Sequence, residues 1–173
     1  MIVEDLRPLA QPLDKLTLFP GNPRQGDVDA IARSLQTFGQ RKPIVANRNG
    51  TVVAGNHTVL AAQQLGWSEL AVVWVDDTET MAQAFALADN RTAELGGYDT
   101  AALAELIQAV QAADEGLLAA VSYTADDLAE LLNSPALAGV GALVPPDDFA
   151  AYGEGLATEH RCPSCGYEWS GKA

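Results

Sequence analysis

Four short stretches of this chain carry the residue types that do chemistry. The first is Gly55-Asn56-His57-Thr58, where the apolar run Val52-Val53-Ala54 stops and a helix-like run begins. A glycine between a strand and a helix lets the backbone come close to a ligand. The first N–H groups of a helix lack internal partners and sit at the positive end of its dipole. With the side chains of Asn56, His57 and Thr58 beside them, such a turn can cradle a phosphate. The plain structural alternative is that Asn56 or Thr58 caps the helix while His57 is a surface residue. The second stretch is Asn22-Pro23-Arg24. A guanidinium suits a phosphate, although Arg24 can equally clasp Asp27 or Asp29. The third is Asp89-Asn90-Arg91. Asp89 can help hold a hard cation beside phosphates, or the trio is a capping or solvent-facing cluster at a helix end.

The fourth stretch, His160-Arg161-Cys162-Pro163-Ser164-Cys165-Gly166-Tyr167, reads as one knuckle of a zinc ribbon. A Cys-x-x-Cys-Gly turn points two thiolates at one ion, and structural zinc takes four ligands. The chain offers Cys162, Cys165 and His160, with no second cysteine pair. A carboxylate, water or another chain's knuckle must complete the site, and two knuckles of a homodimer would make a four-thiolate centre. The missing second pair also fits an inert or truncated remnant of a knuckle, while a redox reading fits less well, because thioredoxin-like pairs open a helix after a strand.

These residues need elements to position them. Residues 13–19 read as a strand, followed by a turn at Pro20–Arg24. Asp27 caps a helix over 28–38, in which Val28, Ile31, Ala32, Leu35 and Phe38 follow helical spacing and Gly39 ends the run. Strands at 42–47 and 51–54 flank the hairpin turn Arg48-Asn49-Gly50. A helix over 57–65 follows the glycine turn. Leu70–Val75 is a continuous apolar strand, read as buried on both faces. Helices are expected over 79–91, from Asp99 or Thr100 to 112, and from Thr124 or Asp126 to 132. The order predicts an α+β domain with a small mixed β-sheet and packed helices. Residues 134–155 are rich in Pro, Gly and Ala and read as a linker.

Composition narrows the function. The net charge is −13, and it is uneven: residues 1–98 hold eight Lys and Arg against eleven Asp and Glu, residues 99–173 two against twelve. Such a chain is a poor non-specific binder of nucleic acid, because phosphate neutralisation needs clustered cations. The densest basic spot, Arg41-Lys42 with Arg48 nearby, reads as a solvated loop. No apolar run approaches the roughly 18 residues of a membrane span, and the first residues lack the pattern of a signal peptide. Two cysteines three apart suit a reducing cytoplasm.

The order Asn22-Pro23-Arg24, helix, strand, Gly55-Asn56-His57-Thr58 running into Ala61-Ala62, strand, helix, Asp89-Asn90-Arg91 resembles the ParB N-terminal domain of the ParB/sulfiredoxin superfamily. The resemblance covers residues 8–98. It implies a pocket for a nucleoside triphosphate with magnesium, lined by Arg24, Gly55, Asn56, His57, Thr58, Asn90 and Arg91. His57 and Asp89 would be the groups for acid–base or metal-assisted chemistry. The departures are informative. Asn56 stands where sulfiredoxins carry their catalytic cysteine. Ala54 stands where a free-serine kinase of the superfamily has aspartate. Thr58 replaces a family arginine, and Arg91 lies closer to Asn90 than in ParB. The acidic helices after residue 99 contain no basic recognition helix.

The reading is therefore a ParB-like domain at 8–98, a helical extension at 99–133, a linker at 134–157 and a zinc-knuckle tail at 158–173. The expected function is nucleotide binding in a cytoplasmic protein of a phage or mobile element, associated with DNA processing or modification. Its partners would be a nucleotide, DNA or a DNA-processing protein, and a second copy through the zinc knuckle. The alternatives are a phosphotransferase or nuclease acting on DNA or nucleotide, and a non-catalytic interaction adaptor.

Overall fold

Leu70, Ala71 and Val72 are almost wholly buried, and the sheet is built around the strand that carries them. A computed structural model describes residues 1–134 and 160–169. It divides into two units, Met1–Gly139 and Val140–Ala173. In the first unit, strand β1 (Ala10–Pro12) pairs antiparallel with β4 (Glu69–Val75), placing Ala10 opposite Ala71. Strand β2 (Ile44–Asn47) runs parallel to β4, with Ile44 opposite Val72. Strand β3 (Val52–Ala54) returns antiparallel to β2. The order β1-β4-β2-β3 makes the small mixed sheet that the sequence predicts.

The helices start where short polar side chains satisfy their first N–H groups. Asp27 accepts from Ala30 N–H at 2.9 Å and opens α1 (Val28–Phe38). Thr78 opens α3 (Glu79–Leu95), and Asp99 opens α4 (Thr100–Ala113). Each cap of this kind stabilises its helix by about 1 kcal/mol. Helix α2 (Asn56–Gln64) differs, for its cap is Gly55 and no side chain caps it.

Helix α2 lies between the sheet and α1. Its Val59 and Ala62 pack into the cluster of Leu13, Ile44, Ala46, Val52, Leu70 and Val72. Its Ala61 packs with Ala32 and Leu35 of α1. Burial on two sides explains why α2 shows little amphipathic pattern and still holds its place. Helices α4, α5 (Glu115–Val121) and α6 (Ala125–Leu132) form their own cluster around Ala104, Ile107, Leu118 and Leu128. Helix α5 also packs on α1.

Three details depart from the sequence reading. Residues 13–19 are not a strand. The strand is Ala10–Pro12, Leu13–Lys15 is a turn of 3-10 helix, and Thr17 alone bridges to Thr51. The chain pairs first at the β4 edge and then at the β3 end, so it must cross beneath the sheet and cannot stay extended. Helix α5 is absent from the sequence reading, because seven residues beginning Glu115-Gly116 carry a weak local signal. Strand β4 is buried on both faces only in its first half. Val73 is 39% exposed, just past the last residue that β1 covers.

The buried Gln40 has no counterpart in the sequence reading. Its amide accepts from Ala71 N–H at 2.7 Å and donates to Ala71 C=O at 3.0 Å, replacing a strand neighbour where β2 has not yet begun. Residues before position 8 join the same unit, since Ile2 is buried and bridges to Gln40.

In the second unit, β5 (His160–Arg161) and β6 (Glu168–Trp169) form a hairpin, with His160 opposite Trp169. Apart from Ser134, the linker expected over 134–157 lies outside the described residues. No helix among the described residues is long and apolar enough to cross a membrane.

Candidate functional site

The site forms where β3 hands over to α2. Gly55 sits at φ +99° and ψ 24°, in the left-handed region. A Cβ there would stand 2.5 Å from Ile44 Cγ2, so both the dihedral and the close approach to β2 require glycine. The turn aims the first N–H groups of α2 outward. Val59 N–H is the donor that reaches Gly55 C=O, at 3.1 Å. The N–H groups of Asn56, His57 and Thr58 precede it and have no intrahelical acceptor.

These groups open into a cleft of about 190 Å3. Its walls bring together Asn22 and Arg24 from the turn after residue 19, Gly55–Thr58 from the start of α2, and Asp89 and Asn90 from α3. Phe19, Ile31 and Ala86 supply apolar wall. Three stretches far apart in sequence thus face one space.

The side chains divide by what they touch. Asn56 is buried, and both ends of its amide are engaged. Its Oδ1 accepts from Phe19 N–H at 2.7 Å and its Nδ2 donates to Val52 C=O at 3.2 Å. It ties the loop to β3 and reaches a ligand only through its backbone. His57 is also committed. Gly26 N–H donates to His57 Nε2 at 2.9 Å, so Nδ1 carries the ring proton in this arrangement. That leaves the ring no free lone pair for a general base, while Nδ1–H remains a donor. Asn90 Nδ2 donates to Ala86 C=O at 2.8 Å, which leaves its Oδ1 as the acceptor.

Arg24 meets neither Asp27 nor Asp29. Its Nη1 lies 3.1 Å from Glu94 Oε1, across the cleft on α3. The other Glu94 oxygen lies 3.5 Å from Arg91 Nη1. Arg91 is therefore turned to Glu94 on the exposed side of α3 and does not line the cleft. Asp89 is the single carboxylate in the wall. With Thr58 and the Asn90 carbonyl oxygen nearby, it suits magnesium, which commonly uses one or two carboxylates together with a substrate's phosphates.

Sequence reasoning did not find Glu94. Its spacing of three from Arg91 on a helix was a weak local signal, but its bond to Arg24 spans 70 residues and has none. Asn22 opens the Asn22-Pro23-Arg24 motif, and its role is visible only in the fold. Its Oδ1 accepts from Arg24 N–H at 3.2 Å and shapes the turn that presents Arg24.

Residues 99–134 contain no Lys or Arg and seven Asp or Glu, and phosphate contacts need cations.

On the second unit, Cys162 and Cys165 face the turn of the β5–β6 hairpin. The N–H groups of Cys165 and then Ser164 hold the Cys162 thiol below its usual range, helped by the Cys165 side chain and opposed by a small desolvation. The ring of His160 lies against Trp169, 5.5 Å between centroids. Among the described residues, no three His, Cys, Asp or Glu side chains cluster as metal ligands.

The small mixed sheet with its packed helices is a ParB-like α+β fold. A C-terminally truncated chromosome-partitioning protein ParB from Caulobacter crescentus, solved with CTP-gamma-S, is similar at a TM-score of 0.60 and 14% identity, covering 71% of this chain and 75% of that one. A Pnob8-like ParB-N domain follows at 0.43 and 14% identity, covering 61% and 47%. The truncated Caulobacter protein complexed to the centromeric parS site gives 0.40 and 15% identity, covering 71% and 69%. The first likeness covers more of the chain than residues 8–98 make up, so it extends beyond that stretch. No protein-family model and no curated protein matches the chain.

Proposed function

We propose that this protein binds a nucleoside triphosphate, with the phosphates at the N-terminus of α2. One observation carries the proposal: the cleft joins Arg24, the unpaired N–H groups of Asn56 to Thr58, and Asp89 around a single space. Those are a cation, a set of anion-seeking backbone donors and a carboxylate of the kind that holds magnesium beside phosphates. A volume of about 190 Å3 is small for a drug-sized ligand, which takes roughly 300 Å3 or more. It suits phosphate groups, with the nucleoside extending outward. The ParB-like fold supports the reading, and the CTP-gamma-S held by the Caulobacter protein puts cytidine triphosphate first in the panel to be tried.

The reading is one of binding before catalysis. His57 has its Nε2 lone pair engaged by Gly26 N–H, and Asp89 is the one acidic side chain in the wall. The association with DNA processing, the phage or mobile-element source and the cytoplasmic setting belong to the same proposal. The first two rest on the resemblance and the third also on the two closely spaced cysteines, and any DNA contact would have to avoid α4–α6.

The test is thermal unfolding of the full chain with each nucleoside triphosphate, with and without magnesium, for wild type and Arg24→Ala. A ligand that binds only the folded protein at a hundred times its Kd stabilises it by about 2.7 kcal/mol. A magnesium-dependent shift for one nucleotide, reduced in the variant, is the expected result. The absence of a shift with any nucleotide would sink the reading.

A further inference from the structure

The nucleotide reading leaves the β5–β6 hairpin without a role, yet its turn is shaped around sulfur. Cys162 N–H donates to Tyr167 C=O at 2.7 Å, and Gly166 N–H donates to Cys162 C=O at 2.9 Å, closing a tight loop over both cysteines. Gly166 makes the closure at φ +76°, in the left-handed region. Pro163 has no N–H, so the turn leaves the backbone N–H groups of Ser164 and Cys165 inside the loop. Backbone donors within such a turn can hydrogen-bond a metal-bound thiolate and stabilise it. Both cysteines are free thiols, and Cys165 is exposed.

This loop supplies two ligands, whereas structural zinc requires four. Of the hairpin's two other candidate donors, Glu168 lies 3.6 Å from Arg161 Nε. The ring of His160 is packed on Trp169, and Tyr167 stacks on the same indole at 6.1 Å. The chain holds two cysteines and two histidines in all. The other imidazole, His57, has its Nε2 engaged by Gly26. We propose that Cys162 and Cys165 form half of a tetrahedral zinc site, completed by the same two cysteines of a second copy, so that zinc joins the protein as a homodimer. Zinc with four thiolates carries two negative charges. The inference does not depend on nucleotide binding.

Zinc content of the purified full chain and its mass by sedimentation test the proposal together. One zinc per two chains and a dimer are expected, and a strong chelator should release the metal and give monomers. Cys162→Ser with Cys165→Ser should abolish both while leaving the main thermal transition in place. His160→Ala should leave zinc content unchanged. Replacing zinc by cobalt should produce the charge-transfer absorption of four thiolates. One zinc per monomer, loss of zinc in His160→Ala, or a metal-free chain with a Cys162–Cys165 disulfide would each overturn the proposal.

Discussion

Gly26 and His57, 31 residues apart, are locked together: Gly26 N–H donates to His57 Nε2 at 2.9 Å. The ring also lies so close that a Cβ on Gly26 would stand 2.8 Å from His57 Cγ. The histidine that looks like a phosphate ligand in the sequence thus fastens the loop carrying Arg24 to the start of α2.

Gly26→Ala should therefore act as a loop-release substitution. The ring must move, and the hydrogen bond weakens or breaks. A loss of about 1–2 kcal/mol is expected, read as a fall in Tm of a few degrees at about 2–4 °C per kcal/mol. If the alanine variant is as stable as wild type, His57 does not anchor this loop.

Gly55→Ala tests the turn itself. At φ +99°, with Ile44 Cγ2 in the way, an added methyl faces strain from both backbone and packing. The expected cost is about 2–4 kcal/mol in urea unfolding. Ile44→Ala should recover part of that cost in a double-mutant cycle, because it removes the methyl that collides. Simple additivity of the two would refute the contact.

On the proposed reading, Glu94 competes with a phosphate for Arg24. The pair is half exposed, so losing it should change stability by less than about 1 kcal/mol. Binding should respond in opposite directions. Glu94→Gln frees the guanidinium and is expected to tighten triphosphate binding by up to about fivefold. Arg24→Ala is expected to weaken it by at least about tenfold, the value of a charge-assisted hydrogen bond. Titration calorimetry of both variants decides the matter, and equal effects of the same sign would argue against the competition.

Asp89→Asn addresses the metal. A carboxylate in the wall repels a triphosphate unless a cation lies between them. Wild type should bind at least about tenfold tighter with magnesium than without it. In the variant that ratio should fall towards one. An unchanged ratio would rule out Asp89 as the proposed magnesium ligand.

The sequence was enough for the fold class and for the elements whose signals are local. Helix α1 carries its cap and its apolar stripe within a dozen residues, and the turn at Arg48-Asn49-Gly50 is where it was expected, although Gly50 takes positive φ and Asn49 does not. The Gly55 turn was equally legible, because only a glycine between a strand and a helix makes that geometry easy. The displaced first strand and helix α5 were not legible, since each takes its conformation from a neighbour distant in sequence.

What a motif residue does was likewise beyond the sequence. Asn56, His57 and Arg91 share the chemistry of ligand-binding residues, yet Asn56 joins Phe19 to Val52, His57 holds Gly26, and Arg91 turns to Glu94. Residue type and local spacing determined which groups are present on this chain and which turns and helices it favours. Only the tertiary structure decided which of those groups face the cleft and which are spent on holding it, because hydrogen-bond partners are allotted by proximity in space.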